Sequence, residues 1–161
     1  MTKQGFAVLN DSLLNKGCAF TPDEREELGL TGLLPAAVLT IDQQEAMVYE
    51  RFLAQPTDLA RRMYLMSVRD DNARLFFYSM SKHLTEYMPI VYAPTVAQSI
   101  EGYSDHYFGS KVAYISIDHP EEIERSLRAF AGERTDIRLV VATDAEGILG
   151  IGDWGANGAE I

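Results

Sequence analysis

MPIVYAPTV, residues 88–96, is the stretch on which the fold turns. Ile90 and Val91 favour extended backbone, an aromatic residue follows, and Pro89 and Pro94 bracket the run. Met88 to Pro94 therefore reads as a compact strand. Before Pro89 apolar residues fall mostly at helical spacing. After it, short β-rich runs alternate with helical ones. The expected fold class is α/β: a mostly helical half over 1–88, then an α/β half over 89–161 with a small, mainly parallel sheet.

Upstream, the helix signals are local and chemical. In FTPDEREELGL, Thr21 can cap a short helix, Pro22 takes its first position and Glu24 completes a capping box. Gly29 and Gly32 then break it. In LTIDQQEAMVYERFLAQP the same logic recurs with Thr40 and Gln43, and Met47, Phe52 and Leu53 form a partial apolar stripe. Pro56 ends that helix. Thr57 caps a third, with Leu59, Met63 and Met66 on one face. Asp70-Asp71-Asn72 interrupts, and a fourth helix is expected from Asn72 to about Glu86, carrying Phe76, Phe77, Met80 and Leu84.

Downstream, VAYISID and IRLVVATD read as strands, and GILGIGD as a short apolar run among glycines. Between the two strands Asp118 can cap a helix whose box is completed by Glu121. Strands separated by a helix imply βαβ units. No internal repeat, low-complexity tract or linker interrupts the chain.

Composition narrows the function. The 161 residues fit one domain and are 47% hydrophobic, enough for a sizeable core. Fourteen basic residues face 24 acidic ones, a net charge of −10. The basic residues are scattered, which argues against a nucleic-acid partner. Cys18 is the single cysteine, so no intramolecular disulfide can form. The N-terminus lacks the apolar core of a signal peptide, and no run is long enough to span a membrane. The expectation is a cytoplasmic protein with no membrane or nucleic-acid partner.

Few residues carry chemistry. Gly150-Ile151-Gly152-Asp153-Trp154-Gly155 spells G-x-G-x-x-G, the pattern of a dinucleotide-binding turn. Such a turn must be followed by a helix, a second strand and an acidic residue roughly twenty positions on. Only Ala156 to Ile161 follow, so a glycine-rich turn is expected instead. His83, His106 and His119 lack metal-ligand spacing and read as exposed or core-satisfied. Cys18 has no neighbouring base. The acidic pairs Glu26-Glu27, Asp70-Asp71 and Glu121-Glu122 read as solvated faces or helix N-termini. No metal site is expected within the chain. Tyr92 ends the expected strand, where α/β folds place ligands. It serves packing and hydrogen bonding there, or acts as a general acid if a cation lies nearby, since its ordinary pKa is about 10.

Three motifs in order, FTPDEREELGLTGLLP, MPIVYAPTV and VVATDAEGILGIGDWG, resemble the N-terminal region of the malic enzyme family from about Leu14 to Ile161. LLNKGCAFT, IEGYSD, SIDHPE and TDAEGILGIGDWGANG look like its malolactic branch. Malic enzymes usually carry Arg where this chain has Gly147, and that arginine helps hold substrate and cofactor. The malolactic branch carries Gly.

The resemblance implies conversion of L-malate to L-lactate and CO2, with NAD and Mn2+ in the full-length enzyme. Hydride leaves the substrate for NAD, the metal draws electrons as CO2 departs, and the hydride returns. It implies that Tyr92 is the general acid and that Gly147, Ile148 and Leu149 line the malate pocket. It implies a homo-oligomer, with a dimer expected. It places the catalytic lysine, the metal carboxylates and the NAD-binding domain beyond Ile161; Lys3, Lys16, Lys82 and Lys111 match none of those positions. The chain is then expected to be inactive alone and to bind neither NAD nor Mn2+. Two alternatives stand beside this reading: a domain of an NAD-dependent malic enzyme making pyruvate, and a freestanding non-catalytic assembly domain.

Overall fold

A computed structural model describes residues 3–105 and 112–161. His106 and Lys111 lie outside the described residues. The chain divides into two compact units, Met1–Thr95 and Val96–Ile161.

The first unit is helical, as the sequence pattern requires. Its helices are α1 (Phe6–Leu9), α2 (Pro22–Glu27), α3 (Ile41–Leu53), α4 (Asp58–Asp71), α5 (Ala73–Lys82) and α6 (Leu84–Val91). Both expected capping boxes form. The Thr21 hydroxyl accepts from the Glu24 amide while the Glu24 carboxylate accepts from the Thr21 amide, and Thr40 and Gln43 do the same. Thr57 caps α4 through the Ala60 amide. Asn72 caps α5, accepting from the Leu75 amide at 2.9 Å. Each such bond satisfies an amide that the helix leaves without a partner.

The fourth expected helix, 72–86, is two helices. His83 breaks it with φ −121° and ψ 33°. The break has a visible cause. The His83 ring stacks on Tyr49 at 3.8 Å, and its Nε2 lies 2.9 Å from the buried Glu45 carboxylate. Glu45 also accepts from the Ser79 hydroxyl, which in turn meets the Tyr87 hydroxyl at 3.0 Å. This side-chain network holds the chain at a turn that local propensity would have carried through.

The core of the unit is Phe52, Leu65, Phe76, Tyr87 and Ile90. It differs in detail from the expected stripes. Val48 and Phe52 face inward on α3, whereas Met47 and Leu53 are exposed. On α4 the buried residues are Arg62 and Leu65, with Leu59, Met63 and Met66 only half-buried. A smaller cluster, Val8, Phe20 and Leu30, packs beneath the N-terminal loops.

The expected strand at Met88–Pro94 is not a strand. It is the last turn of α6, followed by a bend into α7 (Thr95–Glu101). Val, Ile and two prolines argue for extended chain, but Tyr87 and Ile90 each bury themselves in the core only if the backbone is helical. That packing outweighs the hydrogen bond lost at Pro89, which sits inside the helix.

The second unit corrects the fold class. Among its described residues there is no strand, and no parallel sheet forms. VAYISID and IRLVVATD carry the composition of strands, but a strand needs a neighbour for its N–H and C=O groups, and neither run makes a ladder. Their side chains face outward: Ile117 is 94% exposed and Leu139 80%. The sole pairing among the described residues is an isolated antiparallel bridge between Ile148 and Gly152. The helix after Asp118 starts later than expected. Pro120–Glu122 form a 3-10 turn and α8 runs over Ile123–Ala131, with no side chain capping it. The Asp118 amide donates instead to the Ser116 hydroxyl.

The buried network predicts an alkaline limit to stability. Burial pushes the Tyr87 hydroxyl up to about 12 from its ordinary 10.0, with the Glu45 and Glu86 charges adding to the shift and the Ser79 bond opposing it. A group whose pKa is raised on folding contributes stability that is intact below the unfolded pKa. That contribution disappears as pH climbs to the folded value. Urea unfolding midpoints should be level from pH 8 to about 9.5 and fall from pH 10 upward. In Tyr87→Phe that fall should be shallower; an equally steep fall would remove Tyr87 from the explanation.

Candidate functional site

Tyr92 is built by the end of α6. It is the residue that closes the helix, with φ −125° and ψ −149°, and its amide still donates to Met88 O at 2.9 Å. Two residues upstream Ile90 is buried, and Val91 packs against the same core. The backbone is thereby anchored, while the Tyr92 side chain is 50% exposed. An anchored residue with an accessible hydroxyl is the arrangement a proton donor needs. The premise that a strand end positions it is replaced by a helix end.

A second anchor holds this helix end. Arg62, on α4, is 4% exposed, and its Nη1 donates to the carbonyl of Val91. Sequence reading missed this residue, because its partner lies 29 positions away and nothing local signals it.

Gly147, Ile148 and Leu149 lie in the second unit, in a closed loop. Ile148 and Gly152 exchange backbone hydrogen bonds at 3.0 and 2.9 Å, and the Trp154 amide donates to Ala145 O at 3.1 Å. The Gly147 amide donates to the Asp153 carboxylate at 2.6 Å. Gly147 has φ +63°, the left-handed region where a side chain is strained, although the space around its missing Cβ is open. At Gly158 the restriction is steric. A Cβ there would sit 2.6 Å from Ile148 Cδ1 and 2.7 Å from Ala145 Cβ. The loop exposes Leu149 at 95% and half-buries Ile148. Asp153 was not singled out from sequence, yet it is the side chain that orders Gly147.

The G-x-G-x-x-G run forms this loop and not a cofactor cradle. A dinucleotide turn hands over to an α-helix whose first amides meet the phosphates. Here Gly155 opens a 3-10 helix, Gly155–Glu160. These residues do not fit NAD. Nor do the described residues fit a metal ion, because among them no group of three or more His, Cys, Asp or Glu side chains converges. His83 is engaged by Glu45 and Tyr49, and His119 is exposed beside Glu121. Cys18 is a half-buried free thiol. Among the described residues no helix is long and apolar enough to cross a membrane.

Residues 69–161, more than half of the chain and inclusive of both Tyr92 and the 147–149 loop, match the family model described as malic enzyme, N-terminal domain. The chain belongs to the malic enzyme family. Among its relatives, the malolactic enzyme of Lactiplantibacillus plantarum is 51% identical over 162 residues, spanning 100% of this chain and 29% of that protein. The NAD-dependent malic enzyme 3 of Bacillus subtilis is 48% identical, spanning 99% of this chain and 28% of its own length. The putative malate oxidoreductase [NAD] of Mycobacterium tuberculosis strain H37Rv is 44% identical over 96% of this chain. This malic enzyme domain thus spans less than a third of the relatives it matches. The whole-chain likeness covers the helical unit as well as the loop unit, so both units are malic enzyme in origin.

Proposed function

We propose that this chain is the substrate-side domain of a malolactic enzyme, which converts L-malate to L-lactate and CO2. The observation that carries the proposal is the 51% identity to a malolactic enzyme across the whole chain, joined to an anchored, accessible Tyr92. Gly147 in place of the arginine usual in malic enzymes supports the malolactic outcome over the oxidative one. The reading brings with it NAD and Mn2+ in the full-length enzyme, a homodimer and a cytoplasmic location.

Tyr92's part in this chemistry is one proton. When the carboxylate leaves as CO2, the carbon that carried it holds an electron pair, as the enol of a 2-oxo acid. The Tyr92 hydroxyl donates its proton to that carbon. The phenolate that remains takes a proton from a cationic partner, which this reading assigns to a lysine outside the 161 residues. The 147–149 loop offers backbone to the substrate from a conformation that Gly147 makes accessible.

The test uses a hybrid in which residues 1–161 replace the matching segment of the Lactiplantibacillus plantarum enzyme. Given L-malate, NAD and Mn2+, it should form L-lactate and CO2 in equal amounts with no net NADH. Pyruvate with stoichiometric NADH would decide for the NAD-dependent malic enzyme reading, which the likeness to the Bacillus subtilis protein keeps in view.

A further inference from the structure

Arg62 is a charged side chain that the fold buries. It projects from the middle of α4, one turn from Leu65, and is almost wholly buried. A buried guanidinium is costly unless its donors are met. One donor is met by the carbonyl of Val91. That carbonyl belongs to the last residue of α6, immediately before Tyr92.

The sequence explains why this carbonyl needs an outside donor. The final carbonyls of a helix have no intrahelical amide to meet them. In a tightened last turn the next donor would be three residues on. That residue is Pro94, which has no N–H. The negative end of the helix dipole also favours a cation there. Charge-assisted bonds of this type are stronger than neutral ones.

We propose that Arg62 is a positioning residue for Tyr92: by holding the Val91 carbonyl it fixes the direction in which the α6 terminus presents the Tyr92 hydroxyl. This rests on the reading of Tyr92 as the general acid. The route from Arg62 to Tyr92 runs through the Val91 carbonyl, so its effect falls on turnover more than on substrate binding. Misplacement of a catalytic group by about 1 Å can lower turnover roughly a hundredfold.

Two variants test it, Arg62→Met, which keeps the bulk, and Arg62→Lys, which keeps a cation. In the 161-residue chain, hydrogen exchange of the Tyr92 amide should speed up about tenfold or more in Arg62→Met. Amides of α3 and α5 should keep their protection. In the hybrid, kcat should fall by about ten- to a hundredfold with KM for L-malate within about threefold, and Arg62→Lys should restore part of the loss. If Arg62→Met does not fold, Arg62→Lys alone carries the test, with a smaller shift in the same two readouts. Unchanged exchange at Tyr92 overturns the proposal, and so does an unchanged kcat in an active hybrid. A Tyr92→Phe hybrid that turns over at the unmodified rate overturns the reading of Tyr92 instead, and the exchange result distinguishes the two because it does not depend on activity.

Discussion

Replacing Tyr92 with Phe should lower kcat of the hybrid by about a hundred- to ten-thousandfold, the range for loss of a positioned proton donor. The ring is kept, so packing at the end of α6 is kept. The hydroxyl sits on a half-exposed side chain, so its removal should leave the unfolding midpoint of the 161-residue chain unchanged. KM for L-malate should move by less than about threefold, because a general acid acts on the transition state rather than on substrate affinity. Steady-state lactate formation read beside urea unfolding separates the two effects. A Phe variant that turns over at the unmodified rate would remove Tyr92 from the chemistry.

The second large effect concerns Arg25, which holds the N-terminal loops together. It is 8% exposed and donates to four backbone carbonyls. Its Nε reaches Phe20 O at 2.9 Å and its Nη1 reaches Pro35 O at 2.7 Å. Its Nη2 is shared between Cys18 O at 3.3 Å and Ala37 O at 3.1 Å. One planar fork thus fixes loops on both sides of α2.

Arg25→Met should destabilise the chain by about 1.5–3 kcal/mol, the range for losing hydrogen bonds made by a charged group. Arg25→Lys should recover only part of this, since an ammonium cannot reproduce the fork. The measurement is chemical denaturation of the 161-residue chain. A loss below about 1 kcal/mol for Arg25→Met would mean that the carbonyls find other donors.

What the sequence revealed and what it hid divide along a physical line. The capping boxes at Thr21 and Thr40 were legible because both partners lie within one helical turn. Arg25 and Arg62 were not, because their acceptors lie up to 12 and 29 positions away and backbone carbonyls have no sequence signature. Helix α6 was misread because Ile90 and Val91 favour strands locally, while its helical form is decided by what Tyr87 and Ile90 bury against. The split at His83 was hidden for the same reason, since the cause is Glu45 on another helix. In the second unit, short β-rich runs announced strands whose partners do not form among the described residues. Tyr92 was singled out by its motif as the proposed general acid, and the strand expected to present it is a helix end. Gly147 was singled out by resemblance, and the hydrogen bond from its amide to Asp153 was found only in the structure.

We propose that these 161 residues supply the substrate side and the proton of a malate-decarboxylating enzyme, and that the rest of the catalytic set belongs to the full-length protein. The most direct test assays the purified 161-residue chain and the hybrid side by side with L-malate, NAD and Mn2+, measuring L-lactate. Lactate is expected from the hybrid and none from the chain alone. Lactate from the chain alone, or neither lactate nor pyruvate from a folded hybrid whose unmodified parent is active, would overturn that proposal.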